Sequence, residues 1–334
     1  MSAPRHAMSA AVLAGDIGGT KTLLLLGVLE PAGMRITREQ RFDSHRYDGL
    51  LPMLHEFLRP GEAAALHGAC FGVAGPVVEG QAKITNLPWR IDAAEVAAAL
   101  NIRAVTLMND FSAIAHGIEM LPPADMETLQ SGQPVPHGVR AILGAGTGLG
   151  MGFMVWCGEQ YRVFPSEGSH ADFAPADAPQ IELLHDLTAR FGHVSSERLV
   201  SGQGLVHIYT FLRGRGGEES SRLRQAMDAG DPAAAISAAA LRDGDTLAQA
   251  ALDWFARIYG AEAGNLALTL LPTGGLFVAG GIAPKIIESL RSGAFIQAFR
   301  AKGRFSELLA TIPVQVVMNP RVGLLGAALA ASRL

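Results

Sequence analysis

Cysteine is almost missing from this chain: Cys70 and Cys157 are the only two in 334 residues, and they lie in unrelated segments. Two isolated thiols exclude a four-cysteine or CxxC-type zinc site and any disulfide framework. Both sit in apolar runs, which predicts reduced thiols in the core. Long hydrophobic runs are missing too. Leu23–Leu26 falls far short of the ~20 apolar residues that span a bilayer. There is no basic run and no excess of positive charge: Lys and Arg total 27 against 31 for Asp and Glu, a formal net charge of −4. That balance argues against nucleic acid or an anionic membrane as the main partner. Any phosphate the protein handles must be met by local backbone geometry or by a metal.

Apolar residues are ample, at 49% of the chain, so a disordered chain is ruled out. The length suggests two domains at about 100–200 residues each. Met1–Ala14 carries Arg5 and small apolar residues, a faint likeness to a signal peptide. Its apolar part runs straight into Gly15-Asp16 with no polar cleavage region, which predicts a flexible leader over 1–10, then a strand, and a cytoplasmic protein.

Ala11–Ala14 and Thr22–Leu29 read as strands joined by the glycine turn Gly15-Asp16-Ile17-Gly18-Gly19-Thr20. Ala69–Val78 reads as a buried strand closed by Gly75-Pro76, and Val105–Met108 as one that stops at Asn109-Asp110. Ala93–Leu100 predicts a helix with Asp92 as N-cap, and Phe111–Ile118 carries apolar residues at helical spacing. Ala141–Val155 repeats the opening pattern of strand, glycine turn and strand. Setting Gly15 on Gly144 pairs GDIGGTKTLLL with GAGTGLGMGFM, which suggests two similar lobes with amide-lined hairpin tips. Arg213–Leu241 predicts surface helices, Ala251–Leu271 a long helix broken at Pro272, and Leu276–Val278 a strand ending at Gly280-Gly281. A helix from about Pro284 and a small-residue helix over Gly323–Ala331 complete an α/β alternation.

The glycine turns match neither familiar phosphate motif. A P-loop needs glycine before Lys21-Thr22, where Thr20 stands, and in GAGTGLG the third glycine of G-x-G-x-x-G falls one position off. Asp16 is either a turn-former that caps local amides or a Mg²⁺ ligand beside a phosphate cradle. Asp110 is either an N-cap or a carboxylate at a strand end, where α/β clefts place ligands. Glu167 and His170 flank small residues in a loop, as two side chains facing one ligand or as a metal pair with Asp172. Glu197 reads as an acid in a helix's first turn.

DIGGTK, GVAGPV, TNLPW, MNDF, GAGTGLG, EGSHADFAP, ERLVSGQGL and AGGIAPK follow one another in the order found in bacterial glucokinases, and the chain resembles that family from about Leu13 to Ala331. The resemblance implies an actin-like (RNase H-like) α/β fold, with a duplicated mixed sheet and two lobes around a central cleft. It puts residues 11–118 and 320–334 in a small lobe and 119–319 in a large one. It implies ATP-dependent phosphorylation of D-glucose to glucose 6-phosphate by a homodimer, with Mg²⁺ as cofactor. By position, Asp110 corresponds to the general base, and Asn109, Glu167, His170 and Glu197 to the sugar ligands. Gly15, Asp16, Gly18, Gly19 and Thr20 correspond to one phosphate hairpin, with Asp16 holding Mg²⁺ directly or through water. Gly144, Gly146, Thr147 and Gly148 correspond to the other, and Gly280-Gly281 to the turn near adenosine. Lys21 stands where the family more often has asparagine.

These roles are chemically coherent. Phosphoryl transfer needs mainly positioning and charge stabilisation. A carboxylate that accepts the hydroxyl proton late can work without a raised pKa. Water is a smaller competing nucleophile, so lobe closure on sugar binding is expected to limit ATP hydrolysis. Two alternatives stay open: a kinase for another hexose or an amino sugar, and a sugar-sensing regulator on the same fold. The 14 residues before Gly15 are too few for a helix-turn-helix module.

Overall fold

The computed structural model describes residues 11–31, 33–84 and 87–334. The leader at 1–10, and Thr85 and Asn86 of the TNLPW motif, lie outside the described residues. The chain forms two compact units. One runs to Asp125 and resumes over Asn319–Leu334; the other is Met126–Met318.

The first unit is built on strands β1 (Ala11–Ile17), β2 (Lys21–Glu30), β3 (Gly33–Asp43) and β4 (Gly68–Val73), a small three-stranded sheet of β5 (Val77–Val78), β6 (Gln81–Lys83) and β7 (Arg90–Asp92), and β8 (Val105–Asn109). The main sheet has the order β3-β2-β1-β4-β8. Its first three strands run antiparallel, while β1, β4 and β8 run parallel. β1 and β4 are buried on both faces, which is why they read as unbroken apolar runs. The helix Val322–Ser332 covers one face, setting Leu324, Ala327, Ala328 and Ala331 against Val12, Ala14, Leu25 and Cys70. Its small residues let it approach the helix Asp110–Gly117 closely: a β-carbon at Gly326 would collide with the Ala113 carbonyl. The other face buries Leu13, Leu24 and Phe71 against Met53, Leu54, Phe57 and Val96, from the helices Leu50–Phe57 and Ala93–Leu100.

The second unit contains β9 (Met126–Gln130), β10 (Arg140–Ala145), β11 (Leu149–Trp156), β12 (Tyr161–Ser166), β13 (Gly275–Ala279) and β14 (Val314–Val317). Its sheet order is β12-β11-β10-β13-β14-β9. The first five strands repeat the order and directions of the first unit's sheet, and β9 adds an antiparallel edge. A mixed sheet of this order, present twice, makes the fold the actin-like (RNase H-like) one. The helix Thr246–Leu270 runs through the core, with Ala251, Phe255, Tyr259 and Ala263 fully buried. It begins at the cap Asp245, which accepts the Ala248 amide, and ends at Leu271 in the left-handed region, just before Pro272.

Three sequence expectations need correction. The repeat of Gly15 on Gly144 holds for the incoming strands only: Gly15 pairs with Leu24 and Gly144 with Gly150, so the first hairpin is three residues longer and the gapless match fails on the return. Cys157 is exposed, because it opens the turn that closes back from Gln160; only Cys70 is a core thiol, and both are free. The apolar stretch Ala69–Val78 is two strands, interrupted at Gly75-Pro76. Among the described residues no helix is long and apolar enough to cross a membrane.

Candidate active site

In the first unit, β1 delivers Gly15 and Asp16 to the tip Gly18-Gly19-Thr20. The Gly18 amide donates to the Lys21 carbonyl at 3.0 Å. Ser44, fully buried after β3, braces this turn: its amide donates to the Thr20 carbonyl at 3.0 Å, and its hydroxyl donates to the Gly18 carbonyl at 3.0 Å. No sequence pattern marks Ser44, since its contacts come from the far end of an edge strand.

β8 ends at Asn109, which caps the helix Asp110–Gly117. Its Oδ1 accepts the Phe111 amide at 2.9 Å and its Nδ2 donates to the Gly75 carbonyl at 3.2 Å. The cap is therefore Asn109, and Asp110 is the helix's first residue, where the helix dipole favours a carboxylate. Asp110 accepts the Phe111 amide through Oδ1 at 2.8 Å. Burial pushes its pKa upward, opposed only in part by hydrogen bonds from the Phe111 amide, its own amide and Asn109. Its shift is thus upward, where the sequence reading required none.

Asp16 shows the same effect more strongly. Burial, with the nearby Asp110 charge adding to it, pushes its pKa up to about 6, and Lys21 pulls the other way. Nothing among the described residues donates a hydrogen bond to its carboxylate. Two neighbouring carboxylates, both displaced upward, beside an amide-lined turn, form an electrostatically unfinished site.

In the second unit, the tip Gly146-Thr147-Gly148 closes with the Gly146 amide on the Gly148 carbonyl at 2.8 Å. The Gly202 amide donates to the Gly146 carbonyl at 3.0 Å, so the helix Gly202–Gly214, capped by Ser201, starts at this tip. Glu197 sits in a short turn, and its Oε2 accepts the Leu149 amide at 2.9 Å. A β-carbon at Gly148 would collide with that oxygen. Gly280 follows β13 with φ +84 and lies so close that a β-carbon there would meet the Ala145 carbonyl. Gly144 continues β10 into this junction. Gly146 and Gly281 face open space.

Glu167, His170 and Glu197 come together in the structure. His170 Nε2 lies 3.7 Å from Glu167 Oε2, and its Nδ1 lies 4.0 Å from Glu197 Oε1. The loops that carry them are stitched by Phe173 to Val194 (2.9 Å) and Ser196 to Ala171 (3.0 Å). Asp172, the third member of the alternative metal set, instead pairs with His193 at 2.9 Å. Among the described residues no three His, Cys, Asp or Glu side chains form a metal cluster. With two carboxylates and one imidazole, the trio has more acceptors than donors, which suits a neutral polyol whose hydroxyls can donate.

The family model described as Glucokinase matches residues 13–334. The glucokinase of Nostoc sp. (strain PCC 7120 / SAG 25.82 / UTEX 2576) is 47% identical, over 97% of this chain and 99% of the relative. The crystal structure of a glucokinase from an Antarctic psychrotroph superposes with a TM-score of 0.88 at 29% identity, covering 98% of this chain and all of that one. A ROK-family glucokinase from Streptomyces griseus, solved with glucose and AMPPNP, shares the fold at a TM-score of 0.63 and 22% identity, over 97% of this chain and 100% of that one. With a match that spans the two strand-turn-strand hairpins, the carboxylate pair and the Glu167–His170–Glu197 trio, this chain belongs to the glucokinase family.

Proposed function

We propose that the protein transfers the γ-phosphoryl group of ATP to the 6-hydroxyl of D-glucose. The observation that carries this reading is Asp110: a half-buried carboxylate in the first turn of a helix, held by a backbone amide and next to Asp16. Such a group accepts the proton of an attacking hydroxyl as the bond to phosphorus forms. Asn109, Glu167, His170 and Glu197 hold the sugar's other hydroxyls, and an analogue that leaves these acceptors unpaired is rejected. The amides of Gly15–Thr20 and Gly144–Gly148 receive the polyphosphate, and Gly280-Gly281 borders the adenosine.

Asp16 fits a Mg²⁺ ligand. It is a hard oxygen donor without a protein hydrogen bond, and a cation beside it would offset both its burial and its repulsion from Asp110. Mg²⁺ held there would neutralise charge on the β- and γ-phosphates. The chain's own share is to hold that carboxylate beside the glycine turn, with Lys21 favouring its charge, and to align the hydroxyl. In the cell, the enzyme works in the cytoplasm as a homodimer that feeds glycolysis, a reading supported by the family. An ADP-release assay over a panel of hexoses and amino sugars, with the product identified, tests substrate and reaction together.

A further inference from the structure

Tyr259 lies near the middle of the helix Thr246–Leu270, wholly buried, and no motif of the sequence points to it. Its ring packs edge-to-face against Phe255 (5.9 Å between centroids) and Phe295 (5.5 Å). Phenylalanine would serve that packing equally well, so the hydroxyl is what needs a reason. It accepts the Ala145 amide at 3.0 Å and donates to the Leu143 carbonyl at 3.4 Å. Burial raises the phenol's pKa still further above neutrality, so the donor is always present.

Ala145 is the last residue of β10. The amide and carbonyl of one strand residue point to the same side, and the Ala145 carbonyl accepts the Ile282 amide at 3.2 Å, on the β13 side. The ladder of β13 with β10 stops at the Gly144–Ala279 pair, and the chain turns away at Gly280. The Ala145 amide therefore faces β13 at the last pair of the ladder, beside Ala279, and the Tyr259 hydroxyl is a further partner for it, bridging to the Leu143 carbonyl. Both turns read as nucleotide-binding depend on this residue. Gly146–Gly148 is its direct continuation, and Gly280 packs on its carbonyl.

We propose that Tyr259 is a positioning residue for the nucleotide: its hydroxyl bridges the Ala145 amide and the Leu143 carbonyl where the β10–β13 ladder ends, and so holds the two glycine turns in one fixed relation. Tyr259 touches no substrate. It acts by pre-aligning the amides that meet the phosphates, so that little is lost in ordering them on binding. The inference rests on the nucleotide reading of those turns.

Tyr259→Phe in the full chain removes the hydroxyl and keeps the ring. The Kd for AMPPNP with Mg²⁺, measured by titration calorimetry, should rise roughly 3–10-fold, the range expected for the loss of one buried hydrogen bond. KM for ATP should follow, while KM for glucose stays within about twofold, and the amides of residues 144–148 should exchange hydrogen faster. Phe255→Leu loosens the same core but spares the hydroxyl; it should lower the melting temperature and leave the AMPPNP Kd alone. Unchanged AMPPNP affinity in Tyr259→Phe, or an equal loss in Phe255→Leu, overturns the inference. Because AMPPNP binding is read without turnover, a wild-type chain inactive on every hexose would count against the proposed reaction and not against Tyr259.

Discussion

Glu197 and Leu149 are joined by a 2.9 Å hydrogen bond from the Leu149 amide to Oε2, and Gly148 leaves room for that oxygen because it has no side chain. One carboxylate thus links the returning strand of the Gly146–Gly148 hairpin to the loop that meets His170. Gly148→Ala should push Glu197 off the Leu149 amide and disturb both halves at once. Steady-state kinetics should show kcat/KM reduced at least tenfold for ATP and for glucose, since small displacements of positioned groups carry large rate penalties. An effect on only one substrate would show that Glu197 does not link the two.

Asp110→Ala should lower kcat by roughly 10²–10⁴-fold, the usual contribution of a general base. Its folding stability should not fall, because burial disfavours the charge that the substitution removes. Thermal melts beside the rate measurement separate the two effects.

Asp16 gives a stability signature with a definite sign. The unfolded chain releases the Asp16 proton near pH 3.8 and the folded chain near 6. Below about pH 4 both states hold the proton. Between the two values only the folded state holds it, so rising pH favours unfolding; above about 6 the penalty is constant, on the order of 2–3 kcal/mol. Asp16→Asn lacks the penalty. In melts without nucleotide or divalent cation, the variant's advantage over the wild type should be near zero at pH 4, grow up to pH 6, and then level off. A constant difference across that range would refute the shift.

Much of this was legible in the chain. Buried central strands such as Ala11–Ile17 and Gly68–Val73 announce themselves as apolar runs, and Asp92 marks its helix start. β3 did not, because an edge strand that alternates Arg and Glu with apolar residues has the pattern of a solvated surface. Glu167 and His170 were paired by their spacing in one loop, whereas Glu197 joined them only through motif order, since loops stitched by backbone bonds bring it in from a separate segment. Ser44 and Tyr259 carried no signal at all. Each acts on the backbone of a distant segment, and such contacts exist only once the sheet has formed.

Gly280 and Gly281 offer a paired test of the turn after β13. Gly280→Ala places a side chain at φ +84 against the Ala145 carbonyl, and should cost about 1–3 kcal/mol or more in folding stability. Gly281→Ala meets nothing within 4 Å, so its stability should stay close to wild type. If that turn borders the adenosine, KM for ATP should rise in Gly281→Ala all the same.

The most direct measurement is ADP release by the wild type and Asp110→Ala across a panel of hexoses and amino sugars, with the phosphorylated product identified. D-glucose should be the preferred acceptor, glucose 6-phosphate the product, and turnover on every sugar should collapse in Asp110→Ala. Preferred phosphorylation of a different sugar, or near-normal turnover without the Asp110 carboxylate, would contradict the assignment.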